Sequence, residues 1–350
     1  LELDLETKSS FQLIPEGSGG QVKSVKIQMG LYPQNSFRQT LLNWDSKGKV
    51  EGNNVIFEWK NPELKKSLPY GFKAKIKTEN KKLAINKKIN FPLSSADQKG
   101  LEKYLMATTN IDKKHPKIIY RAQKIAEGEN DLFVVAFKIA SWVEKNVDYD
   151  LNTLTISSNQ KASWVLENRQ GVCDEMTSLF IALCRSLGIP AKFVSGVSYT
   201  TDQGVIKVVG SNWAGHGWAE AYFPGYGWIG FDPAFGQYGY VDVTHIKLRE
   251  GFDPAEPTTK LEWLADKVNL NSKQKLQFLV NLKKTGATSK EKISLSGNVF
   301  GQEVQIGSYN LIQTTVENKE NNYLATTLHL AAPKEIKVTG ENQKALLLKP

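Results

Sequence analysis

Cysteine is scarce in this chain of 350 residues, which contains only Cys173 and Cys184. Two thiols are too few for the disulfide framework of a small secreted scaffold. The residues between them are predicted to form a helix, which would separate them by about 16 Å, beyond the ~7 Å Cα distance that a disulfide spans. The spacing also lacks the Cys-x-x-Cys pairs of a structural zinc site. The sequence therefore predicts two free thiols.

Arginine and long apolar runs are scarce as well. Only five of the 45 basic residues are Arg, whereas phosphate and base recognition favour Arg, so we expect no nucleic-acid partner. No segment approaches the roughly 18 uninterrupted apolar residues of a membrane helix. The chain starts at Leu1 without a signal-peptide pattern. We expect any signal peptide or membrane anchor to lie beyond the two ends of the sequence.

The positive charge is concentrated in the flanks of the chain. Residues 1–93 carry 16 basic and 9 acidic residues (+7), residues 94–255 carry 16 and 18 (−2), and residues 256–350 carry 13 and 9 (+4). A lysine-rich surface is most often a solvated surface, but it also attracts anionic partners. An anionic cell-envelope surface therefore stays open as a partner.

The hydrophobic pattern divides the chain into a β-rich front, a mixed middle and a β-rich end. In residues 1–93, apolar and polar residues alternate over 24–32, 53–59 and 70–78, which is typical of strands in a small sandwich. Residues 94–257 contain helical and strand patterns together. The segment 258–279 reads as a linker helix region, centred on KLEWLADKVNL (260–270). Residues 280–350 read as a second, C-terminal β-sandwich-like domain.

The middle part carries the residues with chemical potential. Helical spacing covers 96–107, 115–128 and 131–147, and a further helix is predicted from Cys173 to Leu187, ended by Gly188 and Pro190. Two aromatic strands, HGWAEAYF (216–223) and GWIGFDPAF (227–235), flank the turn Pro224–Gly227. The pattern predicts an α+β core.

Cys173 follows the Gln170-Gly171 turn and opens its helix. Unpaired backbone N–H groups and the positive end of the helix dipole favour the thiolate at that position. An inert buried thiol is the ordinary alternative for a free cysteine. Cys184 lies further along the same helix and is expected to be such an inert thiol. The acidic pair Asp174 and Glu175 is expected to stabilise the start of the helix.

A thiolate nucleophile needs a base, and the base needs an orienting partner. The chain has four His residues, and His216 opens the first aromatic strand while Asp232 lies near the end of the second. A hairpin would bring these two side by side, so that the carboxylate fixes the imidazole tautomer. The sequence therefore predicts Cys173 as nucleophile, His216 as base and Asp232 as orienting residue, with His245 as a weaker rival for the base.

The segments GVCDEMTSLFIALCRSLGIPAKFVSG and HGWAEAYFPGYGWIGFDPAFG resemble the core signature of the transglutaminase-like superfamily. The resemblance covers roughly residues 130–250. It implies a papain-like transglutaminase core, in which a helix carrying the cysteine lies at the edge of an antiparallel sheet that carries the His and the Asp. It also implies catalytic roles for Cys173, His216 and Asp232, which match the family's positions.

Some members of this family use a Trp to help hold the oxyanion. Three residues, Trp142, Trp164 and Trp218, are weak candidates here, and a place in the core is at least as good an interpretation of Trp142 and Trp164. No loop has the alternating oxygen ligands that calcium prefers. The chemistry requires no metal and no organic cofactor.

The function expected from these features is a thiol-dependent acyl transfer to or from peptide or protein amide bonds through a thioester, with hydrolysis favoured over transamidation. An inactive binding or scaffold protein of the cell surface is the main alternative. A peptide:N-glycanase-type amidase is less favoured, because the cysteines that often bind zinc in such enzymes are absent. The flanking β modules favour an extracytoplasmic or cell-surface location.

Overall fold

A computed structural model describes residues 1–155, 159–200, 212–271, 276–288, 290–301 and 303–350. Its first part is built from six strands, in which buried and exposed residues largely alternate, as half-buried strands require. They are β1 (Glu2–Pro15), β2 (Gln21–Met29), β3 (Gln39–Asp45), β4 (Lys49–Glu51), β5 (Asn54–Lys60) and β6 (Ser67–Thr78). Strands β2, β5 and β6 confirm the three that the sequence predicted.

Five α-helices and two 3₁₀ turns follow. The helices are α1 (Ser95–Gln98), α2 (Pro116–Ala126), α3 (Leu132–Asn146), α4 (Ala162–Asn168) and α5 (Cys173–Ser186). The 3₁₀ turns are Glu102–Leu105 and Leu151–Thr155. The predicted helix over 96–107 is thus a short helix and a 3₁₀ turn, whereas the other predicted helices are confirmed. Pro116 is the first residue of α2, and Gly128 follows its end as a stop signal.

The central sheet places the predicted His and Asp. Its strands are β9 (Ala191–Tyr199), β10 (Trp213–Phe223), β11 (Gly227–Asp232), β12 (Gln237–Tyr238) and β13 (Ile246–Gly251), after a small parallel pair, β7 (Asp148–Tyr149) and β8 (Gln170–Gly171). The strand order is β12-β11-β10-β9-β13 and the pairs are antiparallel. Helix α5 packs on β10 and β9. This is the predicted α+β core.

The predicted linker helix over 258–279 is wrong. The chain there forms β14 (Thr259–Asp266), β15 (Val268–Asn271) and, crossing the expected boundary, β16 (Gln277–Lys284). Strand β14 pairs with β2, and both β15 and β16 pair with β1. The segment therefore completes the front domain, because its strands pair with the edges of β1 and β2 that would otherwise be open.

The front domain is a two-sheet sandwich. One sheet has the order β15-β1-β6-β3, with β16 also on β1, and the other has the order β14-β2-β5-β4. Buried residues of both sheets form one core, which extends to Val197, Trp213, Ile246 and Leu248 of the central part of the chain. The sandwich and the α+β core are therefore packed against each other.

The C-terminal part is β-rich, as predicted, but its described strands form two-stranded sheets and not two facing sheets. These strands are β17 (Ile293–Val299) with β18 (Ile312–Asn318), and β19 (Leu324–His329) with β20 (Gln343–Leu348). Buried Tyr323 precedes β19 and donates a 2.5 Å hydrogen bond to Asp131, which caps α3. This contact ties the last hairpin to the core.

A buried guanidinium fixes the far end of α5. Arg185 is fully buried and donates to the backbone carbonyls of Ala191, Met106 and Phe252 at 2.9–3.0 Å. Burying a charge is costly unless its hydrogen bonds are satisfied, and here three separate segments satisfy them. No helix among the described residues is long and apolar enough to cross a membrane.

Hydrogen exchange should distinguish the observed strand β14 from the linker helix. In an edge strand, alternate N–H groups bond to the neighbour and the others face solvent. We expect slow exchange at alternate amides of Thr259–Asp266 and fast exchange between them, measured by NMR or residue-level mass spectrometry. Continuous protection over consecutive amides, as in α3 of the same sample, would contradict the strand.

Candidate active site

Cys173 is the first residue of α5, as the sequence predicts, and its side chain is partly exposed. The Glu175 carboxylate accepts the backbone N–H of Val172 at 3.0 Å and so caps the helix start. This contact is consistent with the predicted stabilising role of Glu175, which stays a prediction for Asp174. The thiol lies at the positive end of the helix dipole, where an anion is favoured.

Glycine on β10 allows α5 to approach the sheet closely. A Cβ atom at Gly217 would lie 2.4 Å from an Asp174 oxygen and 2.5 Å from the ring of Phe193, so a larger residue would displace these two side chains. The Thr177 hydroxyl donates to the Gly217 carbonyl at 3.1 Å and fixes the contact. Because His216 is the neighbour of Gly217, this close packing brings the start of α5 to the histidine.

The hairpin of β10 and β11 joins His216 to Asp232. The Nε2 atom of His216 lies 2.7 Å from Oδ2 of Asp232, and both side chains are buried. The backbone N–H groups of Ala234 and Phe235 donate to Oδ1 of the same carboxylate at 3.0 and 3.2 Å. Burial alone would raise the pKa of Asp232, but His216 and His245 outweigh it and hold that pKa well below 3.8.

The tautomer of His216 follows from this contact. An ionised carboxylate only accepts, so Nε2 carries a proton and Nδ1 is the remaining ring nitrogen. Cys173 and His216 line the same cleft. Burial by itself would lower the pKa of His216, but Asp232 and Cys173 raise it to about 10. The structure thus brings the three predicted residues into one cluster.

Tyr149 is a site residue that sequence reasoning missed. It lines the cleft together with Cys173 and His216. Burial, followed by the proximity of Cys173, raises the pKa of Tyr149, so the phenol stays protonated. The only sequence signal was a Tyr shortly after the predicted helix α3, which does not reveal the parallel pairing of β7 with β8 that places it beside Cys173.

His245 was underestimated as a mere rival for the base. Its Nε2 atom lies 3.0 Å from Oδ2 of Asp232, and its Nδ1 atom lies 3.2 Å from Oδ1 of Asp242. Asp232 therefore contacts two imidazoles at once. The Asp242-x-x-His245 spacing was the available signal, but it does not show that Asp232 is the shared partner.

The three Trp residues proposed as oxyanion donors lie outside the cleft at Cys173. Trp142 packs between the guanidinium groups of Arg121 and Arg169, and Trp164 packs at the edge of the hydrophobic core. Trp218 is buried and stacks near His216, with ring centroids 6.1 Å apart. None of the three is among the described residues that line the cleft at Cys173.

Helix α5 carries one further acid beside Cys173, which is Asp174, and one further thiol away from the cleft, which is Cys184. The Asp174 carboxylate lies 3.7 Å from the Cys173 sulfur, and burial, with Glu175 adding to it, raises the pKa of Asp174 to about 6. Cys184 is fully buried and free, and burial raises the pKa of its thiol. It is therefore the inert thiol that the sequence predicts.

The cleft at Cys173 has a volume of about 260 Å³ and is walled by two domains. Tyr149, His216 and the start of α5 form one wall, while Leu31, Thr258 and Phe278 of the sandwich form the other. The segment 258–284 therefore contributes directly to the cleft.

Among the described residues, one group has the spacing of metal ligands. It consists of His216, Asp232 and His245, and one donor atom of each lies within 4.8 Å of those of the other two. These atoms are already bonded to one another at 2.7 and 3.0 Å, and all three residues are buried. The cluster is therefore a hydrogen-bonded unit. Both carboxylate oxygens of Asp232 already accept hydrogen bonds from the two imidazoles and from backbone N–H groups.

Known proteins share this architecture. The structure is similar to that of a candidate cysteine protease from Cytophaga hutchinsonii, with a TM-score of 0.54, 17% identity, and coverage of 83% of this chain and 94% of that one. In sequence, the chain is 29% identical to the uncharacterized protein Rv2569c of Mycobacterium tuberculosis over 47% of this chain and 54% of the relative. It is 32% identical to the uncharacterized protein YebA of Bacillus subtilis over 33% of this chain and 17% of the relative. The chain thus spans about half, or less, of the length of these two relatives.

The fold and the cluster define a papain-like α+β domain with a helix-borne cysteine. Residues 119–233 match the sequence model of the transglutaminase-like superfamily. This part of the chain is therefore a transglutaminase-like domain.

The buried Asp232 carboxylate should make stability depend on pH. Because its pKa is lowered in the folded state, it contributes stability above its ordinary pKa that is lost as pH falls through the folded value. We expect Asp232→Asn to cost about 3–5 kcal/mol near neutral pH and less below about pH 4. Urea unfolding at both pH values measures the difference.

Asp266→Asn, at an exposed position, is the matched control and should be close to neutral throughout. An Asp232→Asn cost that stays constant from neutral to acid pH would contradict the assignment of an ionised, paired carboxylate.

Proposed function

We propose that this protein is a thiol-dependent acyl-transfer enzyme that cleaves peptide or protein amide bonds, with Cys173 as nucleophile, His216 as base and Asp232 as the residue that orients the base. The observation that carries the proposal is the 2.7 Å contact between His216 and Asp232, which leaves the other imidazole nitrogen for a thiol at a helix start. That thiol is partly exposed in a cleft. An inert structural thiol would need neither an imidazole held by a carboxylate nor exposure in a cleft.

The chemistry follows from the proton positions. The Cys173 sulfur, as a thiolate beside the His216 imidazolium, attacks the amide carbonyl carbon and forms a tetrahedral intermediate. His216 then gives its proton to the leaving amine, the C–N bond breaks, and a thioester remains on Cys173. A water molecule, deprotonated by His216, attacks the thioester and releases the acid and the thiol. These steps use no metal and no organic cofactor.

The oxyanion of the tetrahedral intermediate needs donors beside the sulfur. The backbone N–H of Cys173 is one donor. Tyr149 is the second in this proposal, because its phenol stays protonated and lines the cleft with Cys173. It takes the part that the sequence analysis gave to Trp142, Trp164 or Trp218.

Hydrolysis and transamidation differ only in the molecule that attacks the thioester. We favour hydrolysis, with a peptide or protein as substrate and no nucleic acid as partner. A partner on an anionic cell envelope remains a prediction from the lysine-rich flanks, and an extracytoplasmic location remains a prediction from the flanking β modules. Adding a primary amine at high concentration to a cleavage reaction separates the two reactions, since only a transamidase diverts most of the acyl group to the amine.

Removing the nucleophile or the base should abolish activity. With a labelled protein mixture as substrate, Cys173→Ala and His216→Ala should each lower the rate at least about 10³-fold. Cys184→Ala is the matched control and should retain the rate, because that thiol is buried away from the cleft. Equal turnover by wild type and Cys173→Ala would refute the enzyme, and a wild type that binds the substrates without turnover would favour the scaffold alternative.

Tyr149→Phe should separate oxyanion stabilisation from nucleophile activation. Loss of one oxyanion donor typically lowers kcat by about 10²–10³-fold, and we expect kcat to fall while KM changes little. Trp142→Phe, which alters a residue outside the cleft, is the control. If Tyr149→Phe leaves kcat unchanged, the hydroxyl is not an oxyanion donor.

A further inference from the structure

His245 lies between two carboxylates, of which that of Asp232 is fully buried and that of Asp242 is 38% exposed. The side chain of His245 is fully buried, and this residue directly precedes β13. One ring nitrogen, Nε2, faces Asp232 at 3.0 Å, and the other, Nδ1, faces Asp242 at 3.2 Å. Both nitrogens therefore point at carboxylate oxygens.

A neutral imidazole cannot satisfy both contacts. It carries one N–H, so its second nitrogen would direct a lone pair at a carboxylate oxygen, and ionised carboxylates only accept. Because the His245 side chain is fully buried, such a repulsive contact is costly. The geometry is satisfied if His245 is doubly protonated, or if Asp242 carries the missing proton.

The surroundings of Asp242 exclude the second solution. Its Oδ1 atom accepts from the backbone N–H and the hydroxyl of Thr244, at 2.7 and 2.5 Å. Its Oδ2 atom accepts from the side-chain amide of Gln237 at 2.6 Å. Donors thus surround both oxygens. Burial alone would raise the pKa of Asp242, but His245, Thr244 and Gln237 outweigh it and lower that pKa.

Further charged groups lie around His245. A cavity of about 390 Å³ reaches the ring of His245, and its charged lining residues are Arg38, Lys81, Lys82, Lys192, Lys247, Glu220 and Glu250. Three of the lysines form ion pairs: Lys192 and Lys247 with Glu220 and Glu250, and Lys81 with Glu79. Arg38 donates a hydrogen bond to the backbone carbonyl of Asp242. Arg38 and Lys82 therefore oppose a charge on His245, but the two carboxylates are in direct contact and dominate.

We propose that His245 is a permanent imidazolium that positions Asp232 and cancels part of the negative charge which Asp232 presents to His216. His245 does not touch the reacting thiol, so it is a positioning residue. Both imidazoles share Oδ2 of Asp232, so the charge of one affects the proton affinity of the other. The consequence for catalysis rests on the proposed function, whereas the charge state itself does not.

The charge state can be measured by nitrogen NMR of protein labelled with ¹⁵N-histidine. Variants in which Gln replaces one His at a time assign the four residues, and Cys173→Ala serves as the background because it removes the neighbouring thiolate. We expect both ring nitrogens of His245 to stay protonated from about pH 6 to about pH 8, where an ordinary histidine loses its charge. Asp242→Asn removes one carboxylate and should bring this deprotonation into that range.

The influence on His216 is read from the same spectra. Because removing a nearby positive charge favours the protonated form of a base, His245→Gln should move the titration midpoint of His216 to higher pH by about one pH unit. His329→Gln, at an exposed position of the C-terminal hairpin, is the matched control and should leave the midpoint in place.

Two outcomes overturn the inference. One is an unprotonated ring nitrogen on His245 near neutral pH in the Cys173→Ala background, and this observation requires no folded His245 variant. The other is a His216 midpoint that is the same with and without His245. Because the background is inactive, these outcomes are independent of the activity assays, in which loss of the proposed function would appear separately.

Discussion

The carboxylate of Asp232 is the constraint on which the site depends. Two backbone N–H groups and two imidazoles converge on it, from β10, the turn after β11 and the start of β13. A buried charge is tolerated only when its hydrogen-bonding capacity is filled, and here it is filled on both oxygens. The position and tautomer of His216 follow from this, because its Nε2 atom must donate and its Nδ1 atom is left for the thiol.

The rest of the fold serves to hold Cys173 against that imidazole. Gly217 lets α5 approach the sheet, and Arg185 fixes the other end of the helix to three segments. The sandwich then forms the second wall of the cleft through Leu31, Thr258 and Phe278. The front domain is thus part of the cleft, which gives it a role beyond that of a spacer. A fragment that stops before residue 258 would lose part of this wall together with strands of both sheets.

Local signals predicted the parts of the structure that local interactions determine. Helix α5 has a start signal and a Gly stop, and the aromatic hairpin has a turn between alternating strands, so both were predictable, as was the pairing of His216 with Asp232. The segment 260–270 was not, because Leu261, Leu264 and Ala265 fit a helix as well as Leu261, Trp263 and Ala265 fit a strand. Only the distant strands β1 and β2 decide between them. Tyr149 was missed and His245 was underestimated for a similar reason, since the pairing of β7 with β8 and the contact of His245 with Asp232 form only in the folded protein.

The central claim is that His216 activates the thiol of Cys173. The most direct measurement is the rate of alkylation by iodoacetamide near neutral pH, with the modified residue located by mass spectrometry in wild type, His216→Ala and, as control, His329→Ala. The account predicts that Cys173 reacts at least about tenfold faster in wild type and His329→Ala than in His216→Ala, while Cys184 stays unmodified. Equal rates at Cys173 in all three proteins would contradict it.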